Sequence, residues 1–381
     1  MADTILILGN GFDIAMGRKT KYEDFIKFEK QLYSNPDKEL QDFLKSKGID
    51  SEKYKENLYL KFINENKDTL GDNWSNLEIM ISQLADAIMY FKEHSDELFE
   101  CLYTDLFDNS FKDLSNYIAK YYVVKVINDE FGEIEFENNE KELVLEKINN
   151  LFIEYLDLLI GLLEIYLSYI DYLDFEVKGI EHKPTALDAI PNVPNSSVLN
   201  FNYTNTSGYL FGTSEERTHF IHGRIDLDRT FSRINTMVFG IEDKENDINS
   251  DLIPYQKYYQ RVVKETGNHF EKFFDASFEF TNDALSMPYL GSKNIIIFGH
   301  SVDPLDKEIF QKCFELASLG EYPYRFIFTY YNDSAKRSIV KNLAIILGKD
   351  KLVELTGQRK VVFVKSDDKD GMEDALLKYS S

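Results

Sequence analysis

Residues 5–13, Ile-Leu-Ile-Leu-Gly-Asn-Gly-Phe-Asp, constrain this chain more than any other stretch. Four consecutive apolar residues offer no face to solvent, which is the pattern of a strand buried on both sides in a parallel sheet. They run straight into Gly9-Asn10-Gly11. In such a turn glycine lets the backbone bend tightly and lets N–H groups approach an anionic ligand. The dinucleotide fingerprint asks for Gly or Ala at position 14, where the chain has Ile14. Taken alone, Gly-x-Gly is therefore a weak nucleotide signal.

The second constraint is a change of period. From about residue 21 to 172 the sequence is helix-like, with apolar and aromatic residues at steps of three and four, as in 77–94 and 151–173. Gly132 and the acidic cluster of 128–140 predict a solvated connection, and 182–197, with three prolines, predicts a loop. Beyond that loop short apolar runs recur at 196–201, 218–223, 236–241, 293–301, 324–333 and 360–364, and helix-like segments at 304–320 and 334–348 separate the last three. Strands alternating with helices predict an α/β fold, a parallel Rossmann-like sheet flanked by helices. The chain then reads as residues 1–25, first strand and glycine turn, a large helical insertion over 26–181, and the remainder of the α/β core over 182–381.

Charge and cysteine usage narrow the function. The formal net charge of −23 repels phosphate backbones and disfavours bulk nucleic-acid binding. Cys101 and Cys313 lie far apart, with no Cys-x-x-Cys, so neither a disulfide framework nor a thiolate zinc site is expected, and no metal is predicted. No secretory leader pattern opens the sequence, which fits a cytoplasmic protein. The apolar run 151–173 carries Glu154, Asp157, Glu164 and Asp171. Each acid at bilayer depth would cost about 2.5–3.5 kcal/mol, so the run predicts a core helix with one wet stripe and no membrane span.

Ligands of open parallel sheets bind at the carboxyl ends of the strands. Five predicted strand ends here are polar: Gly9-Asn10-Gly11-Phe12-Asp13, Asn200 to Asn205, His222-Gly223, Gly299-His300-Ser301 and Asn332-Asp333. Together they predict a shared crevice. His94, His182, His219 and His269 show no ligand spacing and read as surface or packing residues, and Trp74 and Glu78 read as a packing and a solvated residue.

The opening GNGFDIAMGRKTKYEDF, followed in order by LNFNYTNT, FIHG and IIIFGHSVDPLD, resembles the AbiH family of phage abortive-infection proteins. In the helical segment the resemblance rests mainly on Asn73-Trp74-Ser75-Asn76-Leu77-Glu78. The same ordered motifs are similar, more distantly, to the sirtuin-like NAD-binding fold. Gly9-Asn10-Gly11 resembles its first loop, Phe201-Asn202-Tyr203-Thr204 its Asn-Ile-Asp strand end, and His222-Gly223 its His-Gly; Gly299-His300-Ser301 and Asn332 resemble its later strand ends. Asp24-Phe25 stands near its Pro-Asp-Phe-Arg motif with a longer spacing. The chain departs from it in having Thr204 for Asp, in lacking the Arg, and in lacking the four zinc cysteines. Deacetylation is thereby disfavoured, and NAD hydrolysis is what the resemblance implies.

Cleavage of an N-glycosidic bond passes through an oxocarbenium-like state and needs a bound phosphate, a nearby carboxylate and a group that activates water. On this resemblance Gly9 and Gly11 cradle the pyrophosphate, Asn10 and Phe12 belong to the same cofactor-binding turn, and Asn202 holds the ribose and a water. His222 acts as general base, because an imidazole titrates near neutral pH. Asp13 or Asp24 supplies the carboxylate, Ser301 and Asn332 bind the adenosine half, and Gly299 and His300 belong to the cofactor-binding set, with His300 reading also as a structural loop residue. From the residues alone, Asp13 reads equally as a helix cap, and His222 as a hydrogen-bonded core residue. The expected function is a cytoplasmic antiphage effector that binds NAD or a related nucleotide and hydrolyses it. A nucleotide-sensing module without turnover, or a hydrolase or nuclease acting on another nucleotide or RNA, are the alternatives. A phage-derived trigger and a homo-oligomer are the partners expected besides the nucleotide.

Overall fold

In the computed structural model, residues 3–66, 74–95, 117–132, 138–241, 251–267, 269–275, 293–320 and 322–377 are described, without the side chains of 74–76 and 138–141. The strands are β1 (Asp3–Leu8), β2 (Ser197–Asn200), β3 (Thr218–Phe220), β4 (Lys293–Phe298), β5 (Tyr324–Tyr330) and β6 (Val361–Lys365). They form one six-stranded sheet in the order β3-β2-β1-β4-β5-β6. Every pair is parallel. This is the doubly wound order, in which the chain builds outward from β1 on one side and then on the other.

The apolar runs become strands because the two-residue period of a strand feeds two cores at once. Ile5 and Ile7 of β1 face one core with Leu199, Ile295, Ile297, Phe326 and Phe328. Leu6 and Leu8 face the other with Val198, Ile296, Phe298 and Ile327. Helices cover both sides. Lys307–Leu319 and Asp333–Leu347 send Phe310, Phe314, Ile339 and Leu343 into the first core. Lys369–Ala375 sends Met372 into the second. Asn332 starts the helix Asp333–Leu347 by accepting from the Ala335 N–H at 2.8 Å.

The chain divides into two compact units: Met1–Thr20 with Leu167–Asp226 and Glu265–Ser381, which holds the sheet, and Lys21–Tyr166 with Leu227–Lys264. The second unit is helical, with Tyr22–Ser34, Lys38–Ser46, Leu58–Glu65, Trp74–Glu93 and Tyr117–Phe131 among its elements. Aromatic contacts hold it together: Phe25 and Phe28 lie 5.6 and 5.1 Å from the Tyr166 ring, and Phe62 lies 5.0 Å from Tyr122. The long helix Asn138–Asp171 runs through Tyr166 into the first unit and ends in a π-helical turn, Tyr172–Lys178. Among the described residues no helix is long and apolar enough to cross a membrane.

Three local expectations are revised. Among the described residues the run 236–241 forms no strand, and its one ladder contact is an isolated bridge from Ile241 to Gln256. The Gln260 side chain takes the place of a partner strand, accepting from Phe239 N–H at 3.0 Å and donating to Phe239 O at 3.1 Å. The acidic stripe of 151–173 is wet only at Glu154 and Asp157. Glu164 is 2% exposed and receives both arms of Arg229, at 2.6 and 2.9 Å, while Asp171 is paired with Arg18. The connection at 128–140 is partly helix, since Tyr117–Phe131 ends only at Gly132 and helix resumes at Asn138; 133–137 lie outside the described residues.

Candidate functional site at the carboxyl ends of the strands

The order of the sheet reverses between β1 and β4, so the turns after these strands flank the position where doubly wound sheets bind ligands. Here the two turns are pressed together. Gly9 N–H donates to Phe298 O at 3.0 Å and Gly11 N–H to Gly299 O at 2.8 Å. A Cβ on Gly9 would lie 2.7 Å from both Gly299 O and His300 Cα, and one on Gly11 would lie 2.7 Å from Gly299 Cα. Gly299, at φ +70°, faces the backbone of Gly11 and Phe12 just as closely. The glycines are thus required by the approach of one backbone to another. The Gly9 and Gly11 N–H groups, expected to face a phosphate, are engaged by protein carbonyls.

Beside this contact lies a buried polar network. Asp13 is 1% exposed, and its carboxylate accepts from Thr204 Oγ1 at 2.5 Å and from Asn202 Nδ2 at 3.3 Å. The same Nδ2 donates to Gly9 O at 3.1 Å, and Asn202 N–H donates to Asn200 Oδ1 at 3.0 Å. The turn after β2 is therefore stitched to the turn after β1 through Asn202. Gly9, not Asp13, stands at the cap position of the helix Asn10–Ala15. Behind Asp13 the Arg18 guanidinium, with no exposed side-chain surface, sits 3.5 Å from Asp13, 3.1 Å from Asp174 and in direct contact with Asp171 and Thr206. It also lies 4.9 Å from the centre of the Phe175 ring. Burial pushes the Asp171 carboxyl up to about 6 against the pull of Arg18. Burial likewise raises Asp13, with Arg18 and Thr204 opposing it.

A second cluster joins the ends of β3 and β4. His222 Nε2 lies 3.1 Å from Asp306 Oδ1, and His300 Nε2 lies 3.5 Å from Asp306 Oδ2. All three side chains are at most 10% exposed. Aromatic rings wall them in: Phe201 lies 4.4 Å from the His300 ring and 5.5 Å from the His222 ring, and Phe310 lies 5.0 Å from His300. His300 Nδ1 accepts from Val302 N–H at 2.8 Å. Val302 adopts φ +56°, a region that β-branched residues rarely enter. Because Nδ1 of His300 is an acceptor, its ring proton is on Nε2, toward Asp306. A ring so protonated is no metal ligand through that nitrogen. Among the described residues no group of three or more His, Cys, Asp or Glu is arranged to hold a metal.

The family model described as "Bacteriophage abortive infection AbiH" matches residues 5–328. The chain belongs to the AbiH family. That span takes in β1 through most of β5, both polar clusters and the helical unit. Membership implies a role in bacteriophage abortive infection. No curated protein and no solved structure in the comparisons matches the chain.

In this AbiH chain the two clusters bring together Gly9, Gly11, Asp13, Asn202, His222, Gly299 and His300. Other expected site residues lie elsewhere. Asp24 is in the second unit, in the first turn of Tyr22–Ser34, with its partner Lys27 at 3.8 Å. Asn10 is tied to Thr20, accepting from its hydroxyl at 2.6 Å and donating to its carbonyl at 3.0 Å. Phe12 is a core ring, 5.9 Å from Phe298. Ser301 and Asn332 are exposed. Of the other residues singled out in the sequence, Glu78 pairs with Lys257 at 3.0 Å and Cys313 is a buried thiol pushed up by burial. Asn73, Cys101 and the Trp74 side chain lie outside the described residues. Sequence reasoning missed Asp306, Arg18, Asp171 and Asp174. Asp306 closes the quoted IIIFGHSVDPLD segment, so the signal was an acid within six residues of His300.

His94, His182 and His269 are exposed, but His219 on β3 is 7% exposed. Burial pushes its imidazole down from 6.5 to about 4, with the neighbouring His269 adding to the shift. Keeping this ring neutral contributes stability that is complete above pH 6.5 and lost as pH falls toward 4. The full loss is about 3 kcal/mol. Asp171 works in the opposite sense between pH 6 and 3.8, since its folded form binds the proton more tightly. Replacing His219→Gln is expected to flatten the acid limb of a urea-unfolding series between pH 6.5 and 4. An acid limb identical to wild type would show that His219 is protonated in the folded state.

Proposed function

We propose that this AbiH-family chain is an abortive-infection effector that binds NAD or a related nucleotide at the carboxyl ends of the sheet and hydrolyses its N-glycosidic bond. The observation that carries the reading is the His222–Asp306 pair, 3.1 Å apart, beside the point where the strand order reverses. A carboxylate that holds one nitrogen of an imidazole leaves the other as an oriented base.

In this reading His222 takes a proton from water as the water oxygen bonds to C1′ of the nicotinamide ribose. The C1′–N bond breaks, its electron pair leaves with neutral nicotinamide, and the proton passes from His222 to solvent. Asn202 commits its amide nitrogen to Gly9 O and Asp13, so its Oδ1 is the group to accept from a ribose hydroxyl or the water. Ser301 and Asn332, exposed after β4 and β5, are available to the adenosine half. The Gly9 and Gly11 N–H groups are already engaged, so the glycine turn contributes close approach in place of phosphate donors.

A second reading, a nucleotide-sensing module without turnover, is favoured by one observation. Asp13 is buried and occupied by Thr204, Asn202 and Arg18, which leaves it no direct role at a reacting carbon. Nicotinamide release from NAD, with His222→Ala and Asn202→Ala alongside, separates the two. Release by wild type that falls at least 100-fold in both variants supports the hydrolase. Absence of release while NAD raises the melting temperature supports the sensor, because binding stabilises the folded state by mass action. With neither, NAD is ruled out as the ligand.

A further inference from the structure

Asp306 sits between two imidazoles, and the two rings restrict each other's protons. His300 Nδ1 receives the Val302 N–H at 2.8 Å, so the neutral ring carries its proton on Nε2, 3.5 Å from Asp306 Oδ2. The other carboxylate oxygen, Oδ1, faces His222 Nε2 at 3.1 Å. An ionised carboxylate only accepts, so the proton of neutral His222 is also on Nε2. Rotation of either ring is opposed by packing: Phe201 touches both, and Phe201 and Phe310 stack with centres 5.6 Å apart. The backbone of Val302, at φ +56° with its side chain fully buried, holds its N–H on His300 despite the strain.

We propose that Asp306 is a positioning residue that clamps His222 and His300 together in the Nε2–H tautomer and so keeps Nδ1 of His222, an enclosed atom, in its proton-accepting form. Its consequence for turnover rests on the hydrolase reading above; the tautomers themselves do not. The clamp joins strand ends that are not neighbours in the sheet, since His222 follows β3, at one edge, and His300 follows β4. The carboxylate is needed because it turns an accepting oxygen to each ring, Oδ1 hydrogen-bonded to His222 at 3.1 Å and Oδ2 facing His300 Nε2 at 3.5 Å. An amide in its place has one accepting oxygen and one donating nitrogen. With His300 fixed as a donor by Val302, the amide oxygen goes to His300 and the amide N–H faces His222 Nε2. His222 must then move its proton to Nδ1, and the base is lost while the packing stays the same.

The test uses the full chain with 15N-labelled histidine at pH 8. Long-range 1H–15N correlation spectra report the protonated nitrogen of each of the six histidines, and His222→Phe and His300→Phe assign the two signals. Both rings are expected as Nε2–H in wild type, and His222 is expected to switch to Nδ1–H in Asp306→Asn. A wild-type His222 protonated on Nδ1 overturns the clamp without any Asp306 variant having to fold. In nicotinamide release, Asp306→Asn is expected to lower kcat by roughly 10²–10⁴-fold with KM little changed, as wrong-tautomer substitutions do elsewhere. Asp306→Glu is expected to recover part of the loss. If the wild-type tautomers are as expected but nicotinamide is never released, the hydrolase reading fails and the clamp stands. If release is unaffected by Asp306→Asn and the His222 proton stays on Nε2, the clamp fails and the hydrolase reading stands.

Discussion

Gly299→Ala is expected to destabilise the sheet-bearing unit by about 3–5 kcal/mol and to lower its melting temperature by roughly 10 °C. Two costs add. The backbone at Gly299 has φ +70°, where a Cβ meets the following carbonyl. That Cβ would also drive into Phe12 N and Gly11 C, which are backbone atoms of the opposing turn and have no rotamer to change. Gly179→Ala isolates the first cost, because Gly179 has φ +61° with nothing within 4 Å of the added carbon. It is expected to cost about 1 kcal/mol. If thermal unfolding places both variants at the same stability, the contact between the β1 and β4 turns is looser than described.

Arg18→Met is expected to cost about 3–5 kcal/mol near neutral pH, because it leaves Asp13, Asp171 and Asp174 buried without their shared counter-ion. Lys178, half-exposed and 3.3 Å from Asp174, would remain to oppose their repulsion. The sign of the pH dependence is fixed by the carboxyls. Asp171 is held up at about 6 and Asp13 is raised even beside Arg18, so without it both bind protons more tightly in the folded state than in the unfolded chain. The deficit should therefore be largest above pH 7 and shrink as pH falls toward 5. Urea unfolding at pH 5 and pH 7.5 measures it. A loss under 1 kcal/mol, equal at both pH values, would mean that solvent reaches the acids.

The parts of the fold that could be read in the chain are those set by local physics. Continuous apolar runs such as Ile5–Leu8 and 295–298 have nowhere to go but the middle of a parallel sheet, and β4 is buried at all six positions. Polar residues at the ends of such runs mark the loops where chemistry collects, which is why Asp13, Asn202, His222 and His300 could be singled out. Asn332 belongs to the same pattern and also caps a helix. What stayed illegible is pairing over long distances. Arg18 stands in a Gly-Arg-Lys-Thr-Lys run, and besides Asp13 its partners Asp171, Asp174 and Thr206 lie more than 150 residues away. Asp306 reads as an ordinary acid at a helix start, and His222 reaches it across 84 residues. The run 236–241 has strand composition, but a glutamine side chain supplies its hydrogen bonds, and no periodicity encodes that.

The position of β1 in the sheet also decides when the sheet can be completed. Its six residues pair on one side with β2 and on the other with β4, so Asp3 meets Lys293, 290 positions later in the chain. Contacts this distant slow folding, because the loop must close before any pairing is gained. During synthesis the first strand waits, apolar on both faces, until the ribosome has delivered β4. The polar turn of β1 and the Asp306 clamp then form almost together. Any amino-terminal fragment ending before Asp306 lacks the carboxylate that joins His222 to His300.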